Sequence, residues 1–219
     1  MSTRFQNVGE ITEEALTRCL VEVSPQSKPP ESARPFPIPE ELRKEMGEPK
    51  PAGVLVPFLK LDGDWHILFT RRTDTLVEHK GQVAFPGGRM DADDPSPEFT
   101  ALREAFEEIG LQPESVRVLG RLDSFITNTN YLLTPIVGLI GWPFPLKIAQ
   151  EEVQRVFTIP LRWLADPENR EVRQRELPAP YPPVPVIYFK PYDGEVLWGV
   201  SAYITVNLID LLFGGKKGN

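Results

Sequence analysis

The sequence predicts a single α+β domain, and three observations carry that expectation. Its 219 residues suffice for one sizeable buried core and are few for two. Short β-branched and aromatic runs recur from residue 52 onward. Between them stands one strongly signalled helix, and a second closes the chain, so that strands, a helix, strands and a last helix make an α+β pattern.

The elements follow in order. Residues 12–23 have helical spacing, with Ala15, Leu16, Cys19 and Leu20 three and four apart. A Pro-rich stretch follows, with eight of the 24 prolines between Pro25 and Pro51; it reads as an extended arm, because proline removes a backbone donor and breaks helices. Residues 1–51 are therefore taken as an N-terminal helix and arm, and 52–219 as the main domain. "AGVLVPFLKLDGDWHILFTRR" reads as a hairpin about Asp62-Gly63. "GQVAF", "VRVLGRLDSF" and "YLLTPIVGLI" are further strand candidates. "LRWLAD" is a short helix. "VPVIYF" and "GEVLWG" read as a late hairpin about Asp193-Gly194. "SAYITVNLIDLLF" is a final amphipathic helix.

Composition narrows the class. Hydrophobic content of 41% and charged content of 25% are those of a soluble globular protein. The net charge of -7 argues against general nucleic-acid or anionic-membrane binding, which needs a basic footprint. A small phosphate ligand remains compatible, since a bound cation reverses the local sign. Cys19 is the one cysteine, so an intrachain disulfide is excluded, and its place on an apolar stripe reads as a small buried hydrophobe. No apolar run approaches the ~20 residues of a membrane span, and no apolar signal core opens the chain; the cytoplasm is the expected location.

The central helix carries the chemistry. Ser96-Pro97-Glu98 is a helix start and Gly110 a helix stop, which predicts a helix over Pro97–Ile109. At about 100° per residue, Leu102, Ala105, Phe106 and Ile109 share one face. Glu104, Glu107 and Glu108 cluster on the opposite one and repel one another. Arg103 is the only basic residue in that turn and reaches Glu107. A solvated face and a divalent-cation site both remain open on the glutamates alone; a hard cation wants such clustered carboxylates. "FPGG" before the helix adds a turn that permits close backbone approach to a ligand. Asp91, Asp93 and Asp94 follow at once.

Gly88, Asp94 and "REAFEEIGL" from Arg103 to Leu111 resemble the signature box of Nudix hydrolases. Arg103, Glu104, Ala105, Glu107, Glu108, Gly110 and Leu111 match its second half. Asp94 stands where the box has its first glutamate, and Arg103 lies nine positions after it, where the family has eight. A second stretch, "LFTRRTDTLVEHKGQVAFPGG" over residues 68–88, is similar to the segment that marks the coenzyme A pyrophosphatase branch. Thr70, Arg72, Leu76, His79, Gly81, Gln82, Val83 and Phe85 match; Thr73 replaces a serine and Val77 an arginine. "TNY", "EEV" and "WGVSA" at residues 129–131, 151–153 and 198–202 also resemble that branch.

The resemblance implies an α/β/α sandwich around a mixed sheet, and hydrolysis of a diphosphate bond with Mg2+ or Mn2+. It implies Glu104, Glu107 and Glu108 as metal ligands, joined by a carbonyl of Gly87 or Gly88. Arg103 would orient the carboxylates, and the general base is Glu108 or Glu152. Arg72, His79 and Gln82 become substrate-binding candidates. The first expectation for substrate is coenzyme A or acyl-CoA, giving 3′,5′-ADP and 4′-phosphopantetheine. ADP-ribose or another nucleotide sugar is the alternative, and a non-catalytic nucleotide-binding module is a third. A homodimer is compatible with the branch; neither a nucleic acid nor a membrane is expected as a partner.

Overall fold

The structure is a computed structural model that describes residues 9, 11–21, 46–74, 80–176 and 182–214. Its frame is an eight-stranded mixed sheet. The central strand is β1 (Lys50–Leu61), and β2 (Asp64–Arg72) follows it through the Asp62-Gly63 turn. Both turn residues take positive φ, 51° and 85°, which is why the tip carries aspartate and glycine. β3 (Val83–Ala84) pairs with the end of β2, and β4 (Gly87–Arg89) with the start of β1. β5 (Val116–Arg121) and β6 (Phe125–Ile126) both lie antiparallel to β7 (Tyr131–Ile140). β7 runs parallel to β1, which makes the sheet mixed. β8 (Val153–Pro160) pairs with β2, with a register shift between Arg71 and Arg72.

Alternation along β1 sorts the core into two layers. Leu55 and Leu59 face α2 (Pro97–Ile109), where they meet Ala101, Ala105, Ile109, Leu68 and Ile136. Val56 and Phe58 face the other side, with Ile67, Phe69 and Val137. That side is covered by α1 (Glu13–Val21) through Leu16 and Leu20, and by α4 (Gly199–Phe213) through Ile204 and Leu208. The Trp65 indole N–H donates to the Ile11 carbonyl at 2.8 Å, which ties the chain before α1 to the body. Helices on both faces of a mixed sheet are the expected sandwich. Cys19 is buried in this layer. No helix among the described residues is long and apolar enough to cross a membrane.

Two expectations change. The partner of β10 (Val184–Phe189) is β9 (Arg170–Arg175), a charged strand that follows the short α3 (Leu161–Ala165). The turn at Asp193-Gly194 does form, but the "GEVLWG" side contributes only isolated bridges, Tyr188 with Trp198 and Tyr192 with Glu195. β9 lacks apolar alternation because five of its six residues are solvent-exposed, so no period-2 signal marked it. The second change is in α2. Phe106 is 45% exposed, while Ala101 and Glu108 are buried. The buried face is rotated away from Phe106 toward Glu108. Most of the Pro-rich arm lies outside the described residues.

Helix α2 can approach β1 because position 53 is glycine. A Cβ there would sit 2.0 Å from the Pro97 carbonyl oxygen and 3.2 Å from the Ala101 nitrogen. Both neighbours are backbone, so neither yields cheaply. Gly53→Ala is expected to destabilise the fold by about 2–3 kcal/mol. Gly141→Ala, with nothing within 4 Å of the added carbon, is expected to change stability by only a few tenths. Urea denaturation of the two variants side by side checks this.

Candidate active site

The site is built where β4 hands the chain to α2. Gly87 has φ +151°, and a Cβ there would lie 2.5 Å from the Gly53 carbonyl oxygen, so only glycine fits. Ser96 caps the helix, its hydroxyl accepting from the Phe99 N–H at 3.2 Å, and Pro97 takes the first position. At the far end Gly110 takes φ 76°. The loop before β8 closes over that end: the Lys147 N–H donates to the Ile109 carbonyl (3.0 Å) and the Ala149 N–H to that of Glu108 (2.9 Å). The same loop is tied to the end of β2. The Thr73 N–H donates to the Glu152 carbonyl at 3.0 Å, and its hydroxyl to that of Glu151 at 3.1 Å. Helix α2, the end of β2 and the loop carrying Glu152 thus form one connected rim.

Arg103 and Asp94 organise the rim. Asp94 is buried and accepts four hydrogen bonds. Arg103 gives two, Nε to Oδ1 at 3.2 Å and Nη2 to Oδ2 at 2.9 Å. The Thr100 hydroxyl (2.9 Å) and the Asp91 N–H (3.0 Å) give the others. The Arg103 hydrogen bonds hold the Asp94 carboxyl well below its ordinary range, at about 2. The same pair raises the already high pKa of Arg103. Asp94 is therefore a positioning residue for Arg103. Thr100, which sequence reading passed over, is its partner; the six-residue spacing from the loop aspartate into the first helical turn was the available signal. Arg103 also reaches Glu107 (2.9 Å), Glu104 (3.1 Å) and the Arg89 carbonyl (3.3 Å).

The three glutamates are not equivalent. Glu107 is exposed and bound to Arg103. Glu104 is part-buried, its carboxylate lying over Gly88, where a Cβ would meet Oε1 at 2.5 Å. Burial raises the Glu104 pKa, against the pull of Arg103. Glu108 is buried, 3.7 Å from Arg72, and its Oε2 has no hydrogen-bond partner. Burial drives its pKa up to about 8. Arg72 opposes that rise, Glu104 and Glu152 add to it, and the Gly87 N–H lowers it. Glu152 is exposed and close enough to perturb both Glu104 and Glu108. Gln82 lies beside Arg72, its carbonyl accepting from the Arg72 N–H at 3.0 Å. The His79 and Val77 positions lie outside the described residues.

These features fit a divalent cation. A buried carboxylate oxygen without a partner on Glu108, a second carboxylate, Glu104, cradled on a glycine, and a third at Glu107, three residues after Glu104, form a hard-oxygen donor set. Among the described residues no three acidic, histidine or cysteine side chains converge as a ready-made cage. Glu104 and Glu107 share one nitrogen of Arg103, and Glu108 faces Arg72.

The NUDIX domain family model matches residues 49–179. The uncharacterized Nudix hydrolase NudL of Yersinia pestis (strain Pestoides F), and that of Yersinia pseudotuberculosis serotype O:1b (strain IP 31758), are each 38% identical over 165 residues, which cover 72% of this chain and 77% of theirs. Among solved structures, a MutT/nudix family protein from Enterococcus faecalis is similar at 16% identity and a TM-score of 0.47, over 78% of this chain and 63% of that one. The NUDIX domain of Shewanella oneidensis NrtR, complexed with ADP ribose, is similar at 20% identity and 0.41, over 57% and 84%.

Two pH effects follow from the site. The Asp94 carboxyl is more acidic folded than unfolded. Its contribution is complete above about pH 4 and is lost as the pH falls toward 2. Asp94→Asn is expected to cost about 2 kcal/mol at pH 7 and to flatten the acid limb of a stability–pH curve. Glu108 behaves oppositely. Its folded pKa is raised, so the metal-free protein loses stability as the pH rises from 4.5 toward 8. Melting temperatures of the metal-free protein across that range should fall, and those of Glu108→Gln should fall less.

Proposed function

The chain belongs to the Nudix family and is a diphosphate-hydrolysing enzyme of it, and from that premise we propose that its substrate is coenzyme A or an acyl-CoA, cleaved to 3′,5′-ADP and 4′-phosphopantetheine. One observation carries the reading. The residues 68–88 that resemble the coenzyme A branch end in the site itself, with Arg72 at 3.7 Å from Glu108 and Gly88 beneath Glu104.

Glu104, Glu107 and Glu108 would hold Mg2+ or Mn2+. When bound, such ions neutralise diphosphate charge and acidify the attacking water. The chain's own residues do the rest. Arg103, fixed by Asp94, sets the positions of Glu104 and Glu107. Glu152 is assigned as the general base: it is exposed, lies close enough to Glu104 and Glu108 to perturb both, and is left over once the three helix glutamates are taken as cation ligands. Water adds to one phosphorus, its proton passes to the Glu152 carboxylate, and the bond from that phosphorus to the bridging oxygen breaks. The other phosphate leaves with the bridging oxygen.

The 3′-phosphate of coenzyme A needs a cation. Arg71 is engaged by Asp74 at 3.2 Å and Glu195 at 3.3 Å, and Arg72 faces Glu108. Lys80 is exposed in the same segment and is assigned that contact. The missing arginine at Val77 favours the second reading, an ADP-ribose or nucleotide-sugar diphosphatase.

Glu108→Gln and Glu152→Gln are both expected to lower kcat, the latter by about 10²–10⁴-fold. Only Glu108→Gln should weaken Mn2+ binding in calorimetry, and equal loss of binding in both would remove Glu152 from the base role. Products and kcat/KM for CoA, dephospho-CoA and ADP-ribose test the substrate. CoA should lead, and Lys80→Ala should narrow its margin over dephospho-CoA by about tenfold. A tenfold preference for ADP-ribose would replace the coenzyme A reading with the alternative.

A further inference from the structure

Three buried side-chain polar atoms among the described residues have no hydrogen-bond partner, and two of them belong to one pair: Arg72 Nε and Glu108 Oε2. The two groups face each other at 3.7 Å, between Arg72 Nη1 and Glu108 Oε1. That is close enough for attraction and too long for a hydrogen bond. A buried ion pair is stable only when its remaining donors and acceptors are satisfied. The Arg72–Glu108 pair leaves Nε open on one side and Oε2 open on the other.

The backbone aims Arg72 at this place. The pairing of β2 with β8 shifts between Arg71 and Arg72: Arg71 lies opposite Arg155, and Arg72 opposite Val153. The extra residue, Gln154, lies on β8, so β2 keeps its regular alternation through Arg72. Successive residues point to opposite faces, so Arg71 turns to Asp74 and Glu195 while Arg72 turns to the α2 side. Thr73 then fastens the strand end to the loop bearing Glu152, which prevents Arg72 from withdrawing.

We infer that Arg72 is an exchangeable partner of Glu108, holding that carboxylate in the free enzyme and passing to a substrate phosphate oxygen when a divalent cation takes the carboxylate. The open valences suit that exchange. A phosphate oxygen would accept from the unpartnered Nε in a fork geometry. A cation would take the unpartnered Oε2. Arg72 then opposes the cation when it binds alone, as a like charge nearby, and favours the diphosphate when the two bind together. Cation and diphosphate become coupled through one guanidinium. This rests on the diphosphatase reading above.

The test is calorimetry on the full chain with Mn2+ alone, and with methylenediphosphonate, a non-hydrolysable diphosphate, in saturating Mn2+. For Arg72→Met the two affinities should move in opposite directions. Mn2+ alone should bind several-fold tighter, and methylenediphosphonate should bind at least tenfold weaker. Arg72→Lys, which keeps the charge and loses the fork, should restore the wild-type Mn2+ affinity and recover only part of the diphosphonate affinity. A misfolded or loosened site would weaken both, so parallel weakening overturns the inference, as does no change in either. If wild-type protein binds Mn2+ no better than Glu108→Gln, it is the metal-site reading that fails instead. Wild-type binding that Glu108→Gln abolishes, with Arg72→Met unchanged, leaves that reading standing and removes only the exchange.

Discussion

The Arg103–Asp94 pair is the contact on which the site depends. Helix α2 carries three glutamates within five residues, an arrangement that repels itself. Arg103 answers the charge, but a flexible guanidinium shared among many acids would set no geometry. Asp94 removes that freedom by taking two of its nitrogens in a fork, while Thr100 and the Asp91 N–H hold the aspartate in turn. The remaining nitrogen is then left facing Glu104 and Glu107. The two departures from the family pattern belong together. Aspartate is one methylene shorter than glutamate, and the loop before Arg103 is one residue longer. In this chain the shorter side chain and the longer loop occur together, and Asp94 reaches Arg103 through both oxygens.

The second constraint is the burial of Glu108. A carboxylate that deep is costly unless it is neutralised, by a proton, an arginine or a cation. The fold enforces the burial. Gly53 lets the start of α2 sit on β1, and Gly87 and Gly88 bring the β4 backbone beneath the helix. A side chain at Gly53 would strike the Pro97 carbonyl and lift the helix, one at Gly87 would strike the Gly53 carbonyl and push β4 off β1, and one at Gly88 would displace the Glu104 carboxylate. Glycines spread over two strands therefore set how closely the glutamate-bearing helix meets the sheet.

Much of this was legible in the sequence, and the failures have physical causes. Capping chemistry is local, so Ser96-Pro97 and Gly110 gave the bounds of α2, and the residues Asp62-Gly63 gave the first hairpin. Burial is not local. The wheel placed Phe106 inward because phenylalanine is apolar and Glu108 outward because glutamate is charged. The structure reverses both, since the surrounding glycines and Arg72 decide which face meets the sheet. Strand β9 escaped for a related reason: it is held by pairing with β10 and exposes its side chains, so it writes no hydrophobic period. Asp94 was visible as a departure, but its four donors come from the loop, the first turn and the second turn of the helix, and no single spacing announces them.

Arg71 and Arg72 show how one backbone feature separates structure from chemistry. They are adjacent and chemically identical, and the strand sends them to opposite faces. Arg71 joins Asp74, Glu195 and, through Glu195, Arg155 of β8. This group fastens the 192–195 turn to the sheet, a structural duty in which the acids nearby match the arginines. Arg72 meets one buried acid and keeps a buried nitrogen open. A satisfied cation is worth most where nothing has to change. An unsatisfied one belongs where a ligand will arrive, because its missing hydrogen bond is then made to the ligand instead of being broken to admit it. The alternation of β2 at this point sets both outcomes at once.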